Sequence, residues 1–222
     1  MKTTVVIPAK NEERTIAKII RRCQPYADEI LVVDGHSADN TRRIAEENDA
    51  RVVLDRGRGK GDGIRIGIQE ARGDILVFID ADGSHDPTDI PKMVKPIQEG
   101  RADLVVGSRG MGGSDELHGD VEKLIRMIGS DIILIGINKR WKVHLTDSQN
   151  GFRAIRTDAA RQLDLKENIT TIEQEMTMKC LKKGFRVDEV PTHEYKREYG
   201  ASVIRLKRVW LRYVWSFIKY LI

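Results

Sequence analysis

"ILVFIDADGSHDP", residues 75–87, joins an unbroken apolar run directly to two aspartates, Asp80 and Asp82. An apolar run without polar alternation is typical of a strand that a parallel sheet buries on both faces. Ligands of such sheets bind beyond the carboxyl ends of the strands. The stretch therefore predicts a rigid, buried strand that holds two carboxylates at a binding edge.

The sequence on either side continues the pattern, with short apolar segments that alternate with segments of helical spacing. The predicted strands are residues 3–7, which Pro8 ends, 29–34, 50–55, 74–80 and 103–109. The predicted helices are residues 11–23, 37–48, capped by Ser37 or Asp39, and 61–73. Alternating strands and helices predict an α/β fold with a mostly parallel sheet flanked by helices.

Polar side chains stand at the carboxyl ends of all five predicted strands. They are Asn11 and Glu12, Asp34, the loop 56–63, Asp80 with Asp82, and Arg109, in the order of the strands. One polar strand end is common, but five that converge on one edge favour a binding site.

The composition indicates one large domain, or a domain with an appendage. The chain has 222 residues, 40% of them hydrophobic, and a formal net charge of +4. This mild charge and the lack of a recognised motif argue against nucleic acid as a partner. Cys23 and Cys180 stand far apart, so we expect them to pack as free thiols in a reducing compartment. The sequence shows no signal-peptide pattern and no run of the ~18 apolar residues that a membrane span needs.

The glycine-rich loop "RGRGKGDG", residues 56–63, matches neither of two common nucleotide motifs. The P-loop needs Ser or Thr where this chain has Gly61, and the dinucleotide fingerprint needs glycines after the first strand. The loop is either an ordinary turn or, through Arg56, Arg58 and Lys60, a site for an anion.

Asp80 and Asp82 repel each other unless a cation or protons lie between them. Mg²⁺ and Mn²⁺ prefer oxygen ligands, and Mg²⁺ usually completes its shell with water and substrate phosphates. The alternative is a solvated turn in which an aspartate caps the helix that starts near Pro87. The position at the binding edge favours a metal, and His85 is the one histidine beside it.

Four motifs in order, "VVIPAKNEERTI", "ILVVDGHSADNT", "GRGKGDGIRIGI" and "ILVFIDADGSHDP", resemble those of family 2 glycosyltransferases with the GT-A fold. Later segments, "VVGSR", "DSQNGFRAIR", "EQEMTMKCLKKGFRVDEVP" and "REYGAS", are similar to the polyprenyl-phosphate branch. That branch includes the dolichol-phosphate mannose, glucose and N-acetylglucosamine synthases.

The resemblance implies roles for individual residues. The nucleotide would be bound by Pro8, Ala9, Asn11, Glu12, Asp34, Lys60, Asp62, Asp80, Ala81 and Asp82. The metal, Mg²⁺ or Mn²⁺, would be bound by Asp80, Asp82 and Ser84, with His85, Asp86 or water as alternatives to the serine. The acceptor phosphate or the diphosphate would meet Arg109, Arg153, Arg197 and Ser202. Glu175 would lie near the sugar, and the catalytic residues would be Asp82, Arg109 and Arg197.

The implied reaction is an inverting transfer of a hexose or N-acetylhexosamine, as in protein glycosylation. The donor would be a UDP- or GDP-linked sugar, and the acceptor dolichyl or polyprenyl phosphate. Metal and nearby cations would stabilise the departing diphosphate. Two alternatives remain: the same fold with a glycan or other non-phosphate acceptor, and a non-catalytic membrane-binding module.

Two segments of the second half could face a membrane. Residues 121–137 form a core helix or a lipid-facing helix, with one face made of Leu124, Ile125, Ile128, Ile132 and Ile135. The tail 203–222 has apolar residues at three- and four-residue steps, namely Leu206, Trp210, Tyr213, Val214, Phe217, Tyr220 and Leu221. Its other side is basic, with Arg205, Arg208, Arg212 and Lys219. This composition predicts an interfacial helix, the alternative being a helix docked on the domain or on a second subunit.

We therefore expect a GT-A domain over residues 1–202 and an amphipathic tail over residues 203–222. Within the domain, residues 1–110 would bind the nucleotide sugar and residues 111–202 the acceptor. The expected location is the cytoplasmic face of the cell membrane, as a peripheral protein. A membrane-anchoring partner or a homo-oligomer would assist this attachment.

Overall fold

The structure, a computed structural model, describes residues 1–115, 121–199 and 206–221. In this part of the chain, helices flank a seven-stranded sheet. The strands are β1 (Thr3–Ala9), β2 (Glu29–Asp34), β3 (Arg51–Leu54), β4 (Ile75–Phe78), β5 (Leu104–Ser108), β6 (Arg153–Arg156) and β7 (Val187–Pro191). The helices are α1 (Ile16–Cys23), α2 (Thr41–Glu47), α3 (Lys60–Glu70), α4 (Ile90–Gln98), α5 (Arg109–Gly112), α6 (Val121–Trp141), α7 (Thr157–Gln162), α8 (Ile172–Lys182) and α9 (Leu206–Leu221).

The strand order across the sheet is β3-β2-β1-β4-β6-β5-β7. Neighbouring strands are parallel, except that β6 runs antiparallel to both β4 and β5. The predicted mostly parallel sheet is confirmed, and all five predicted strands are present. β6 is absent from the prediction because it is short and carries two arginines, whereas β7 ends the segment "EQEMTMKCLKKGFRVDEVP", for which the resemblance implies a helix and a strand.

The sheet separates two apolar cores because successive strand residues point to opposite faces. Val5 and Ile7 of β1 face a core closed by α1 and α4, whereas Val6 faces a core closed by α3, α7 and α8. Cys23 and Cys180 lie one in each core as free thiols, and burial raises the pKa of each to about 12. The predicted packing role of both cysteines is confirmed.

Helix α1 begins at Ile16, five residues after its predicted start at residue 11. The N–H groups of residues 11–13 instead donate to side chains of the next loop, at Ser37, Thr41 and Asp39. Helix α2 likewise begins late, at Thr41, whose N–H donates to the predicted cap Asp39. The first two βα loops therefore brace each other at the binding edge.

Strand β1 continues through Pro8 to Ala9, beyond its predicted end. Proline has no N–H group, so it breaks a strand only at a position where that N–H would have to bond to the neighbouring strand. The ladder with β4 stops at Val6, and the Ala9 carbonyl accepts from the Gly35 N–H on the β2 side. Because successive residues bond to opposite sides, Pro8 faces the side on which β4 has already ended.

Helices α6, α8 and α9 form a third, smaller core. Ile133 and Ile137 of α6 and Met178 of α8 are buried there. Helix α9 contributes Tyr213, Phe217, Tyr220 and Leu221 to this core. Part of the face predicted to meet a membrane is therefore docked on the domain.

Both α6 and α9 also carry apolar side chains that are exposed to solvent. We call this set the exposed α6–α9 residues: Ile128, Ile132, Ile135, Trp210, Leu211, Val214, Trp215 and Ile218. At the described positions of the predicted α6 face the core interpretation is wrong, since Ile132 and Ile135 are 62% and 65% exposed. The side chains of Leu124 and Ile125 lie outside the described part of the chain. Among the described residues, no helix is long and apolar enough to cross a membrane.

Candidate functional site

A cavity of about 500 Å³ opens where the carboxyl ends of β1 to β5 meet. The strand side of its lining includes Pro8, Ala9, Glu12, Gly35, Asp55, Asp80, Ala81, Asp82 and Arg109. The opposite wall comes from the second half of the chain, with Ser130, Gln149, Thr170, Glu173 and Tyr213. The predicted edge of the sheet is therefore the floor of a pocket that both halves enclose.

Asp80 and Asp82 follow β4 into this cavity, and each is paired with a cation. Asp80 Oδ1 lies 2.7 Å from Lys60 Nζ, and Asp82 Oδ2 lies 2.9 Å from Nη2 of Arg197. Burial alone would raise the pKa of Asp80, but Lys60 and, less strongly, Arg197 bring it below its ordinary value. Asp80 therefore carries a negative charge at neutral pH.

Lys60, the first residue of α3, joins the tip of β4 to helix α8. Its Nζ also lies 3.1 Å from Oε1 of Glu173. Burial alone would lower the pKa of Lys60, but Asp80 and Glu173 raise it above its ordinary value. The other oxygen of Glu173, Oε2, is buried without a hydrogen-bond partner among the described residues. Two carboxylate side chains thus share one lysine beside the cavity.

Two glycines at the start of α3, Gly59 and Gly61, are explained by backbone packing. A Cβ on Gly59 would lie 2.6 Å from the Asn168 carbonyl oxygen, and the φ of Gly59 is +110°. A Cβ on Gly61 would meet the Glu167 carbonyl oxygen. Close packing therefore accounts for these glycines, and Lys60 is the cation that the loop delivers to the carboxylates.

The donors beside the carboxylate pair fit a divalent metal that is shared with a phosphate ligand. In the described ranges, no group of three or more His, Cys, Asp or Glu side chains could hold an ion by itself. Mg²⁺ is often bound by only one or two carboxylates, with substrate phosphates completing its shell. Ser84 and His85 line the cavity next to the pair, and Nδ1 of His85 is buried without a partner in the described structure. Burial lowers the pKa of His85, so the neutral ring can act as a metal ligand.

Arg109 reaches the cavity from the end of β5 and is held by two carboxylates. Its Nε and Nη2 donate to the two oxygens of Asp147, at 2.6 and 3.1 Å, and its Nη1 lies 3.4 Å from Glu194. Burial alone would lower the pKa of Arg109, but Asp147 and Glu194 raise it. The guanidinium is therefore charged and already oriented.

Two residues that the resemblance assigned to ligands lie in the interior instead. Arg153 is fully buried, and its guanidinium donates to the carbonyl oxygens of Ser148, Asn150 and Glu173. Glu175 is also fully buried; it accepts two backbone N–H bonds and pairs with Lys179 at 2.7 Å. Neither side chain lines the cavity, so the predicted contacts of Arg153 with phosphate and of Glu175 with sugar are corrected.

Three predicted nucleotide ligands bond to neighbouring residues and are not part of the cavity lining. Buried Asp34 accepts from the Ser37 N–H and from Arg42. Asp62 accepts from the Arg56 N–H and pairs with Arg65, and the Asn11 side chain accepts from the Ala38 N–H. None of the three lines the cavity, and their contact with a nucleotide stays a prediction. Ser202 lies outside the described residues.

Two buried carboxylates of the lining, Glu173 and Asp55, are absent from the predicted site. Glu173 stands two residues before Glu175, which places it on nearly the opposite side of α8. Asp55 follows β3 much as Asp34 ends β2, and that equivalent position is the sequence signal for it. The site therefore contains more acidic groups than the D-x-D motif alone indicates.

The family described as "Glycosyl transferase family 2" matches residues 4–164. The chain is 33% identical over 203 residues to glycosyltransferase AglJ from Haloferax volcanii, an alignment that covers 89% of this chain and 64% of the relative. It is 32% identical over 220 residues to an undecaprenyl-phosphate mannosyltransferase from Micrococcus luteus, covering 91% of this chain and 87% of the relative. The chain therefore spans less than two thirds of the length of AglJ.

A similar solved structure is glucosyl-3-phosphoglycerate synthase from Mycobacterium tuberculosis, in complex with Mn²⁺, UDP-glucose and phosphoglyceric acid. The TM-score is 0.78 at 22% identity, and the match covers 99% of this chain and 79% of that one. This likeness bears on the fold alone, and it confirms the predicted GT-A architecture. Taken with the match over residues 4–164, the identity to these relatives shows that the chain belongs to glycosyl transferase family 2.

Proposed function

We propose that this chain transfers a hexose or N-acetylhexosamine from a nucleoside diphosphate to a polyprenyl phosphate, with inversion. One observation carries the proposal: Asp80 and Asp82 stand together in a cavity, each opposite a cation. Such a site suits an anionic donor that is bound through a divalent ion. The relative named as an undecaprenyl-phosphate mannosyltransferase supports the class of acceptor.

The leaving nucleoside diphosphate would be stabilised at the tip of β4. Mg²⁺ or Mn²⁺, held by Asp80 and Asp82 with Ser84 or His85 beside them, would neutralise the charge on the departing oxygens. Lys60 and Arg197 already lie within ion-pair distance of the two carboxylates and supply fixed positive charge to the same region.

The acceptor phosphate would enter on the side of Arg109 and Arg197. A phosphate is already an anion, so it needs orientation rather than the removal of a proton. Guanidinium groups suit this task because they stay charged and their N–H groups donate to phosphate oxygens. Attack on the face of the sugar opposite the diphosphate inverts the anomeric carbon.

The experiment is a screen of radiolabelled UDP- and GDP-sugars with a polyprenyl phosphate, in Mg²⁺, in Mn²⁺ and in excess chelator. We expect metal-dependent transfer of label into the lipid fraction, and no transfer when the free polyprenol replaces its phosphate. Transfer to alcohols or glycans but never to the polyprenyl phosphate would refute the proposed acceptor.

Glu173 favours a second candidate, in which the acceptor is a glycan hydroxyl. Its carboxylate lines the cavity, and Oε2 has no hydrogen-bond partner in the described part of the chain. A carboxylate so placed could remove the proton of a hydroxyl nucleophile. The same screen separates the two candidates, since only this one predicts transfer to a hydroxyl.

Gly151 packs against the proposed diphosphate site, so alanine at this position should impair sugar transfer. An added Cβ would lie 2.9 Å from Lys60 Nζ and 3.0 Å from Oδ2 of Asp80. Displacing reacting groups by about 1 Å can cost about 100-fold in rate, and we expect a loss of that order. Gly129→Ala is the matched control, because nothing lies within 4 Å of its added Cβ. Full activity of Gly151→Ala would contradict the assigned site.

We also propose that the exposed α6–α9 residues attach the protein to the cytoplasmic face of a membrane. Trp215 and Leu211 of α9 are 67% and 61% exposed, and exposed Arg212 of the same helix can meet anionic lipid. Burying each such side chain in lipid contributes roughly 1.5–3 kcal/mol. We expect Leu211→Ser with Trp215→Ser to lower sedimentation with phosphatidylglycerol vesicles at least about tenfold. Leu54→Ser, at an exposed leucine of β3, should leave sedimentation unchanged, and equal binding of all three proteins would remove this proposal.

A further inference from the structure

The cavity has a recess at the tips of β1, β2 and β3, away from the carboxylate pair. Strand β3 is separated from β4 by β1 and β2, a distance of about 14 Å across three strand spacings. If the diphosphate lies at the tip of β4, as proposed above, the nucleoside extends toward β3. The recess is lined by Pro8, Ala9, Lys10, Val33, Gly35, Asp55, Gly57 and Gly63.

The shape of this recess suits a flat ring. Pro8 and Val33 give it apolar walls, and Gly35 and Gly63 leave space where other residues would carry side chains. A Cβ on Gly63 would contact Pro8 and Val33, each at 3.7 Å. The recess is therefore narrow and apolar on its faces, with Asp55 at its edge.

Asp55 supplies the charged group at that edge. Its side chain is 5% exposed, and its Oδ1 accepts from the Gly57 N–H at 2.7 Å. Its Oδ2 lies on the recess side, 3.5 Å from a Cβ built on Gly35 and 3.7 Å from one built on Gly63. Oδ1 is thus bonded to the loop, whereas Oδ2 faces the space beside two lining glycines.

We propose that Asp55 selects the donor's base by accepting a hydrogen bond from a ring N–H. A carboxylate only accepts, so it pairs with N3–H of uracil or N1–H of guanine. The corresponding atoms of cytosine and adenine, N3 and N1, are acceptors and are repelled. Lys10 lines the same recess and has only donors, which suits a carbonyl beside that N–H, either of the two in uracil or C6=O in guanine. This inference rests on the proposed function, because it assigns the base of that donor.

The test measures the affinity of the full chain for UDP, GDP, CDP, ADP and N3-methyl-UDP by calorimetry in Mg²⁺. We expect the wild type to bind UDP or GDP at least about tenfold more tightly than CDP and ADP, with the tighter of the two identifying the base. If the recess binds uracil, methylation of N3 should weaken the binding of UDP by a similar factor. Asp55→Asn should weaken UDP or GDP about 10- to 100-fold and strengthen CDP, because the amide can donate to N3 of cytosine.

Asp188→Asn, at a partly exposed aspartate of β7 on the opposite edge of the sheet, is the matched control and should bind like the wild type. Unchanged base preference in Asp55→Asn would overturn the inference but leave the proposed function standing. Where the wild type prefers UDP to GDP, 2′-deoxy-UDP is measured as well, and discrimination against it but not against N3-methyl-UDP would also overturn the inference, since Asp55 would then contact ribose. Failure of the wild type to bind any nucleoside diphosphate would refute the proposed function itself. The wild-type comparison decides the matter even if Asp55→Asn does not fold.

Discussion

Replacing Asp82 by asparagine is expected to lower the rate of sugar transfer by about 100- to 1000-fold, with the fold intact. The substitution keeps an oxygen that can accept the Ser84 N–H, as Oδ1 does now. It removes the negative charge that would hold the metal and that now faces Arg197 at 2.9 Å. The loss should appear in kcat, because the charge on the departing diphosphate develops in the transition state.

Asp86→Asn is the matched control for this prediction. Asp86 lies four residues along the same loop, outside the cavity lining, and pairs with Arg22. We expect its activity to stay within about threefold of the wild type, since a partly exposed ion pair contributes little. Equal loss in both variants would show that the loop, and not the Asp82 charge, is what matters. Transfer that persists in excess chelator and in Asp82→Asn would refute the proposed chemistry.

Replacing Arg153 by methionine is expected to destabilise the protein by about 3 kcal/mol or more. The guanidinium is fully buried and joins the loop carbonyls of Ser148 and Asn150 to the Glu173 carbonyl of α8. Without it, these carbonyl oxygens are buried and unbonded, and each such group costs about 1–3 kcal/mol. The expected loss in melting temperature is about 10 °C, measured by thermal unfolding.

Arg156→Met makes the same substitution in the same strand, three residues later. Arg156 is partly exposed and pairs with Asp103 at 3.0 Å, so its loss should cost at most about 1 kcal/mol. A stable Arg153→Met protein with weakened acceptor binding would restore the phosphate contact implied by the resemblance. A large drop in stability would instead identify Arg153 as the group that holds the cavity wall in place.

The strand half of the site could be predicted because each of its polar residues follows a buried strand closely in the chain. In β1 to β5, a short apolar run buries itself, and the next polar residue emerges at the carboxyl edge of the sheet. Asp80 and Asp82 reached the cavity for that reason, as did Lys60 and Arg109. The local sequence does not show which polar side chains point into the cavity. Asp34 and Asp62 bond to neighbouring loops and do not line it.

The cavity wall that comes from the second half of the chain was harder to predict. Nothing in the local sequence distinguishes Glu173 from Glu175. The two residues are about 200° apart on α8, so only one can face the cavity. That choice depends on Lys60 and on the loop 166–167, which are distant in sequence. For Arg153, a cationic side chain on a four-residue strand suggests a surface or a ligand, and only the fold supplies the carbonyls that bury it.

The antiparallel strand β6 has a consequence for the order in which the protein can assemble. β4 and β5 follow each other in the chain, yet β6, which starts about 45 residues after β5, lies between them. A nascent chain that has emerged only as far as β5 therefore has an unpaired edge on β4. Such an edge can pair with other chains, so the polypeptide is exposed to aggregation until Arg153–Arg156 leaves the ribosome and fills the gap.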